Sequence, residues 1–242
     1  MFSCLCLAAV ASAQPACAAG KKYSGYCLEQ DLCMSGGNLV TVCAEAVKFE
    51  SVEAGYTCVS KAPVWDVYVF RRDTRQYIQM PYISWLKVSS AFINSDRFGS
   101  AKPVSERHFE DRGQKYTVYN YPAAVTSDKS MLFQTDPGTK PRMMRGQVKC
   151  MELPVDMHPG SILEKFYGLP LLPGIPLSVS KNGDRGYSEW QVRTKKIVKN
   201  DSIAASQFDM PAGFKKVPFE HSFFFSASTK GAIDDYVGLP DK

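Results

Sequence analysis

The chain is poor in histidine, and the patterns that usually carry chemistry are missing. Its three histidines, His108, His158 and His221, lie far apart, and none sits in an H-x-x-H or H-E-x-x-H pattern. The sequence therefore supports no zinc site. No G-x-S-x-G is present, which excludes a nucleophile elbow. No G-x-x-x-x-G-K-[S/T] is present, which excludes a P-loop. No C-x-x-C pair occurs among the eight cysteines, which disfavours a zinc knuckle or a thioredoxin-like site. No apolar run approaches the ~20 residues of a membrane-spanning helix. Internal repeats, low-complexity tracts, long linkers and a basic tail are also lacking.

What remains is an ordinary globular composition. The 242 residues are 45% hydrophobic and 22% charged, which excludes a disordered chain, a coiled coil, collagen and a polytopic membrane protein. This length buries a sizeable core without disulfide staples. The excess of 29 Lys+Arg over 24 Asp+Glu gives a net charge of +5. Its basic residues fall in small groups with acidic residues between them (Arg71, Arg72 and Arg75; Lys195, Lys196 and Lys199). That pattern reads as solvated strand faces and turns, and no nucleic-acid partner is expected.

The first 18 residues are a different material. Met1 to Ala18 carries no charge, and Phe2 to Val10 is an apolar run. Ala11-Ser12-Ala13 and Ala16-Cys17-Ala18 fit the small-x-small cleavage pattern, so residues 1–18 read as a signal peptide. The usual Lys or Arg ahead of the apolar run is missing. Gln14-Pro15-Ala16 before Cys17 is a poor lipidation site, so a cleaved leader is expected rather than a lipid anchor. Residues 19–242 then form one domain in the periplasm or outside the cell. Cleavage after Ala18 leaves Cys27, Cys33, Cys43, Cys58 and Cys150. In an exported chain, at least one disulfide is expected among the first four. Cys150, isolated in an apparent strand over Gln147–Leu153, reads as a small buried hydrophobe.

Turn residues punctuate the chain about every ten positions, which predicts many short strands. Leu39–Phe49 reads as one long strand and Tyr56–Ser60 as another. Trp65–Phe70 and Gln76–Met80 form a hairpin across the polar Arg71–Arg75 turn. Lys115–Tyr121 alternates cleanly, as does Ser188–Val198, which Ile175–Ser180 precedes across an Asn182-Gly183 turn. Helices are expected over Tyr82–Ile93 and over Gly160–Tyr167, the latter with Ser161 and Glu164 as a capping box and Gly168 as its stop. A short helix near Ala232–Val237 is the third. Glu106, Glu110 and Asp111 around His108 read as an exposed charged loop. Met143, Met144, Met151 and Met157 read as core packing. Phe223-Phe224-Phe225 reads as a segment covered on both faces or as an apolar patch.

The segment Met157–Val217 carries a resemblance. A short helix is followed by FYGLPLLPGIPLSV, a hairpin, and a strand ending in Ser206, Phe208, Pro211, Gly213 and Phe214. With the VYVFRRDTRQYIQMP hairpin, this resembles a group of exported bacterial proteins of unknown function. Their fold is similar to that of the periplasmic lipoprotein carriers (LolA/LppX-like half-barrels). The two regions cover about a third of the chain. The resemblance implies an α+β fold: a curved, mostly antiparallel sheet (half-barrel) wrapped around a few short helices, with an apolar interior and with Phe208 and Phe214 closing the open end.

The expected function is that of a non-enzymatic exported protein holding a lipid-like or other apolar ligand in the half-barrel. A structural or interaction module with a filled core and no small ligand is the alternative, and a hydrolase with an unrecognised site is the second; an apolar or lipid-like ligand and an envelope protein are the candidate partners. No residue is assigned as catalytic, cofactor-binding or metal-ligating, and no cofactor is expected. A convergent His–carboxylate or Cys–His pair would favour the hydrolase.

Overall fold

The computed structural model describes residues 20–33, 36–88, 102–122, 124–126, 142–153, 157–169, 172–183 and 188–225. The expected leader, residues 89–93 and the expected helix at 232–237 lie outside them. The strands are β1 (Lys22–Leu32), β2 (Gly36–Cys43), β3 (Ala46–Ser51), β4 (Tyr56–Lys61), β5 (Val67–Arg71), β6 (Gln76–Met80), β7 (Ser105–Asp111), β8 (Gln114–Asn120), β9 (Ala124–Thr126), β10 (Arg142–Met151), β11 (Ile175–Gly183), β12 (Ser188–Ala204) and β13 (Lys215–Lys216). Two helices are α1 (Tyr82–Lys87) and α2 (His158–Tyr167). All the strands join one sheet in the order β13-β6-β5-β4-β3-β2-β1-β12-β11-β10-β8-β7, with β9 beside β10. Every pairing is antiparallel except β13 on β6.

Two meanders therefore grow outward from a central seam, the ladder from Lys22↔Ala204 to Leu32↔Val192. The sheet is open and curved. The Tyr26 hydroxyl on β1 donates to Gln114 Oε1 on β8 at 2.6 Å, although four strand spacings separate them, about 19 Å in a flat sheet. The class is α+β with a curved antiparallel sheet, as expected.

Period-2 alternation supplies the concave core. Val40 and Val42, Val47 and Phe49, Val67 and Val69, Val148 and Cys150, and Leu177 and Val179 all point into one buried cluster. Helix α2 lies in it with Ile162, Leu163, Phe166 and Tyr167. Phe166 stacks on Phe49 with centroids 4.4 Å apart, and Trp85 of α1 packs at 5.3 Å. A buried polar network pins α2 to the seam. The Tyr167 hydroxyl donates to Gln30 Oε1, and Gln30 Nε2 donates to the Pro176 carbonyl and Thr194 Oγ1 at 2.8 Å each.

Several expectations need correction. Residues 39–49 are not one strand but the β2–β3 hairpin, turning at Ala44-Glu45. The core-facing parity changes from even (Val40, Val42) to odd (Val47, Phe49), which a single strand cannot do. Helix α1 ends at Lys87, where Val88 turns extended with ψ 129°. Helix α2 starts at His158, with Met157 at its N-cap and no side-chain cap. Glu164 is therefore no capping-box partner, while Gly168 does end the helix in the left-handed conformation (φ 63°). The charged stretch around His108 is the edge strand β7, which lacks alternation because solvent reaches both its faces. Phe223 and Phe224 lie on a 3-10 turn and are buried in the main core.

The C-terminal segment wraps the β6 edge. A 3-10 turn, Ala205–Phe208, places Phe208 in a satellite cluster with Tyr23, Cys43, Ala46 and Ile203, on the face opposite the main core. Phe208 is buried, as expected, but it covers that back face rather than closing the open end. Phe214 is half-buried, edge-on to Phe70 at 5.6 Å. Strand β13 then pairs with β6, and the chain rounds the edge so that Phe223 and Phe224 enter the concave core. Buried Arg71 holds it there, donating to the carbonyls of Phe223 (3.2 Å) and Phe225 (2.8 Å).

All five described cysteines are free thiols, where a bridge among Cys27, Cys33, Cys43 and Cys58 was expected. Strand pairing disperses them. Cys58 faces the main core, Cys43 lies in the back-face cluster, Cys27 sits opposite Thr41 and Val198, and Cys33 is exposed beyond β1. Cys150 is a buried hydrophobe, as read. The basic residues of β12 meet acids of β1, with Lys195 and Arg193 on Asp31 at 2.7 and 3.2 Å. Among the described residues, no helix is long and apolar enough to cross a membrane.

Candidate functional site

The β7–β8 hairpin turns at Arg112-Gly113, both with positive φ (51° and 77°), as a two-residue hairpin turn needs. Its register sets Glu106 opposite Tyr119, His108 opposite Thr117 and Glu110 opposite Lys115. The β8–β10 ladder places Thr117 opposite Cys150. Just past β10, the Glu152 N–H donates to the Lys115 carbonyl at 2.9 Å, which brings the Glu152 carboxylate beside Thr117.

Three side chains converge there. Thr117 Oγ1 donates to Glu152 Oε1 at 2.6 Å. His108 Nδ1 lies 2.8 Å from Thr117 Oγ1 and 3.2 Å from Glu152 Oε1. Its Nε2 lies 3.5 Å from Glu106 Oε1. Because the threonine proton goes to Glu152, Nδ1 carries the hydrogen that points at this pair. The Thr117 hydroxyl, and then His108, hold the Glu152 carboxyl below its ordinary range. The Glu152 hydrogen bond is the largest influence holding the His108 imidazole above its ordinary value of 6.5.

These residues rim a cleft of about 400 Å³ that also includes Tyr119, Leu153, Met157, Gly160, Pro173, Gly174 and Ile175. Its wall is backbone against backbone. A Cβ on Gly160 would meet the Gly174 carbonyl oxygen at 2.6 Å, and one on Gly174 would meet the Met151 carbonyl oxygen at 2.5 Å. Only glycine lets the first turn of α2 and the 173–174 turn approach this closely.

His108 and Glu152 are thus the convergent His–carboxylate pair whose appearance bears on a hydrolase. A general base oriented by a carboxylate has this form. Among the described residues, the cleft lining contains no serine or cysteine. Thr117, its one hydroxyl of that kind, is buried and already donates to Glu152. His158 stacks on Trp65 at 4.9 Å, and His221 belongs to the C-terminal 3-10 turn. Cys150 points into the core, where burial pushes its thiol well up, away from a nucleophilic thiolate. Among the described residues, no group of three or more His, Cys, Asp or Glu could hold a metal. Of the four methionines, Met157 lines the cleft and Met151 is buried, while the side chains of Met143 and Met144 lie outside the described set. No local sequence signal points to Glu152, because strand pairing alone brings it to His108. A second hollow, about 380 Å³, surrounds Arg71, Asp73 and Glu220 beside the C-terminal segment.

Glu164 is the other unusual carboxyl. It is buried on α2 and accepts the Leu172 N–H. Loss of hydration raises its pKa well above the ordinary 4.5. The folded chain therefore keeps a proton that the unfolded chain releases near pH 4.5. This contribution to stability is complete below that pH and is lost as pH rises toward the folded-state value. Stability should fall across that window by up to ~1.4 kcal/mol per pH unit. Glu164→Gln should flatten the dependence in denaturation midpoints measured against pH. An equally steep dependence in the variant would refute a neutral buried carboxyl.

No family model matches the chain, and no curated protein matches it. Among solved structures, it is similar to an uncharacterized conserved protein from Thermus thermophilus, at 10% identity and a TM-score of 0.38, over 81% of this chain and 90% of that one. A likeness at this level carries no argument about fold or function.

Proposed function

We propose that this is an exported, non-enzymatic binding protein of the cell envelope. In this reading it is a half-barrel whose interior is filled by its own helices and C-terminal segment, and its ligand is an amphiphilic small molecule seated in the cleft between β7–β8 and α2. One observation carries this reading: the cleft sets apolar side chains (buried Ile175, half-buried Leu153, exposed Met157 and Pro173) beside polar ones (Glu106, His108, Glu152). Its volume falls in the ~300–1,000 Å³ range of small-molecule sites. The packing of α1, α2, Phe223 and Phe224 against the concave face supports a filled interior over a lipid-holding lumen.

Native mass spectrometry of the protein recovered from its host tests both parts. The expected species begins near Gln14 or Ala19 and carries an adduct far lighter than a diacyl lipid. Leu153→Arg, which charges a partly buried cleft position, should remove the adduct. A diacyl lipid retained by both proteins would move the site to the concave face. A bare chain in both would end the binding reading, and an intact Met1 would end export.

A further inference from the structure

We propose that the cleft takes an organic cation, an ammonium group on a short apolar body, seated between Glu106 and Glu152 in competition with the proton on His108. The inference rests on the cleft being the ligand site and names the chemistry of what it holds.

The charges around the cleft are unbalanced. The face of β7 that carries His108 also carries Glu106 and Glu110, and the facing positions of β8 are Tyr119, Thr117 and Lys115. The chain after β10 adds Glu152. The first turn of α2 contributes no acidic residue, only His158, which is stacked on Trp65 and Tyr82. Pro173, Gly174 and Ile175 contribute no charge. Lys115 stands opposite Glu110 in the ladder and lends Glu152 a weaker, longer-range attraction, outside ion-pair distance. That leaves Glu106 and Glu152 sharing one imidazole, at 3.5 and 3.2 Å. Among the described residues, His108 is the one cationic group within ion-pair distance of either carboxylate.

An imidazolium satisfies both carboxylates, but a neutral imidazole donates through one nitrogen only. Deprotonation therefore leaves two carboxylates at the mouth of an apolar cleft with no cation between them. An ammonium restores the charge, and its hydrocarbon body covers Leu153, Met157 and Ile175. Tyr119 also lines the cleft, opposite Glu106 in the ladder. An anion would meet two negative groups, and a neutral alcohol would gain an ordinary hydrogen bond without charge assistance. A calcium or magnesium ion would need about six or more oxygen ligands, and among the described residues no group of three or more His, Cys, Asp or Glu could hold a metal.

The protein and the ligand would thus compete for one site, and the sign follows. Protonated His108 excludes the ammonium, so affinity rises with pH until His108 is neutral. The gain is up to about tenfold per pH unit below the histidine pKa.

Isothermal titration of the full chain with three probes of similar shape decides the matter: 2-phenylethylammonium, 2-phenylethanol and phenylacetate, at about pH 5.5 and about pH 8.5, on either side of an ordinary histidine. The amine should bind best and tighten about tenfold or more at the higher pH. The alcohol should bind weakly at both, and phenylacetate least. Glu106→Gln, at an exposed position that leaves the fold intact, should weaken the amine about tenfold and spare the alcohol. Glu152→Gln should do the same, and His108→Gln should abolish the pH dependence while keeping the alkaline affinity. If the alcohol matches the amine and the glutamine variants change nothing, the cation is wrong and the cleft survives as a site. Tightest binding by phenylacetate likewise overturns the cation. If no probe binds at millimolar concentration, the cleft reading and this one fall together.

Discussion

Replacing Phe208 by Ala should cost about 3–5 kcal/mol, the range for a fully buried phenylalanine. Its ring is 1% exposed and packs edge-on to Tyr23, with centroids 5.8 Å apart. The cluster around it is small: Tyr23, Cys43, Ala46 and Ile203. Tyr23 is the one large ring among these described neighbours, and its strand is fixed in the ladder with β12, so the gap closes only in part and the cost stays high. The ring also anchors the start of the segment that runs past Lys61–Asp209 to β13 and around the β6 edge. Its loss should free that segment before the main core melts. The expected result is a lower denaturant midpoint, with early protease cleavage between residues 205 and 225. His108→Ala, at a side chain 63% exposed, should leave the midpoint nearly unchanged. An unaltered midpoint for Phe208→Ala would show that the back-face cluster does not hold the segment.

Gly174→Ala should be nearly as severe and should act on the cleft. Gly174 has φ +99°, a conformation that L side chains rarely adopt. A methyl there would lie 2.5 Å from the Met151 carbonyl oxygen and 3.4 Å from Cys150 Cβ. Both neighbours belong to β10, a strand fixed by ladders on either side, so the strain cannot relax by a rotamer change. Backbone strain of about 1–3 kcal/mol and overpacking of about 1–3 kcal/mol should together remove about 2–6 kcal/mol. The turn should shift away from β10, spoiling the wall it forms with Gly160. Thermal unfolding reads the first effect, and loss of ligand binding with the fold retained reads the second. A variant as stable as the parent would mean that the 173–174 turn yields freely and that the wall is not rigid.

The hairpins are legible because each is a local object. Alternation in WDVYVF and in KYTVYNY, the polar turn at Arg71–Arg75 and Gly168 as the stop of α2 are written within a few residues of where they act. The 39–49 segment misleads for the same reason. Both halves alternate, and the two-residue turn at Ala44-Glu45 contains no glycine, proline or asparagine to flag the change of parity. Strand β7 reads as a loop because an edge strand exposed on both faces loses the burial periodicity that marks strands. The disulfide expectation rests on sequence proximity, but neighbouring strands carry those cysteines to different faces.

The cleft is not legible at all. His108 and Glu152 are 44 positions apart, and no spacing rule connects them. They meet because β8 lies between β7 and β10, and the order of strands follows from burial summed over the whole sheet. The same holds for the β1–β12 seam and for the path of Phe208 and Phe223 to opposite faces. Composition and alternation were enough for the class of fold, many of its turns and the burial of Cys150, since those depend on each residue's own solvation and its nearest neighbours. Which carboxylate faces which histidine depends on long-range pairing, whose energy is shared among too many contacts to leave a mark on any one of them.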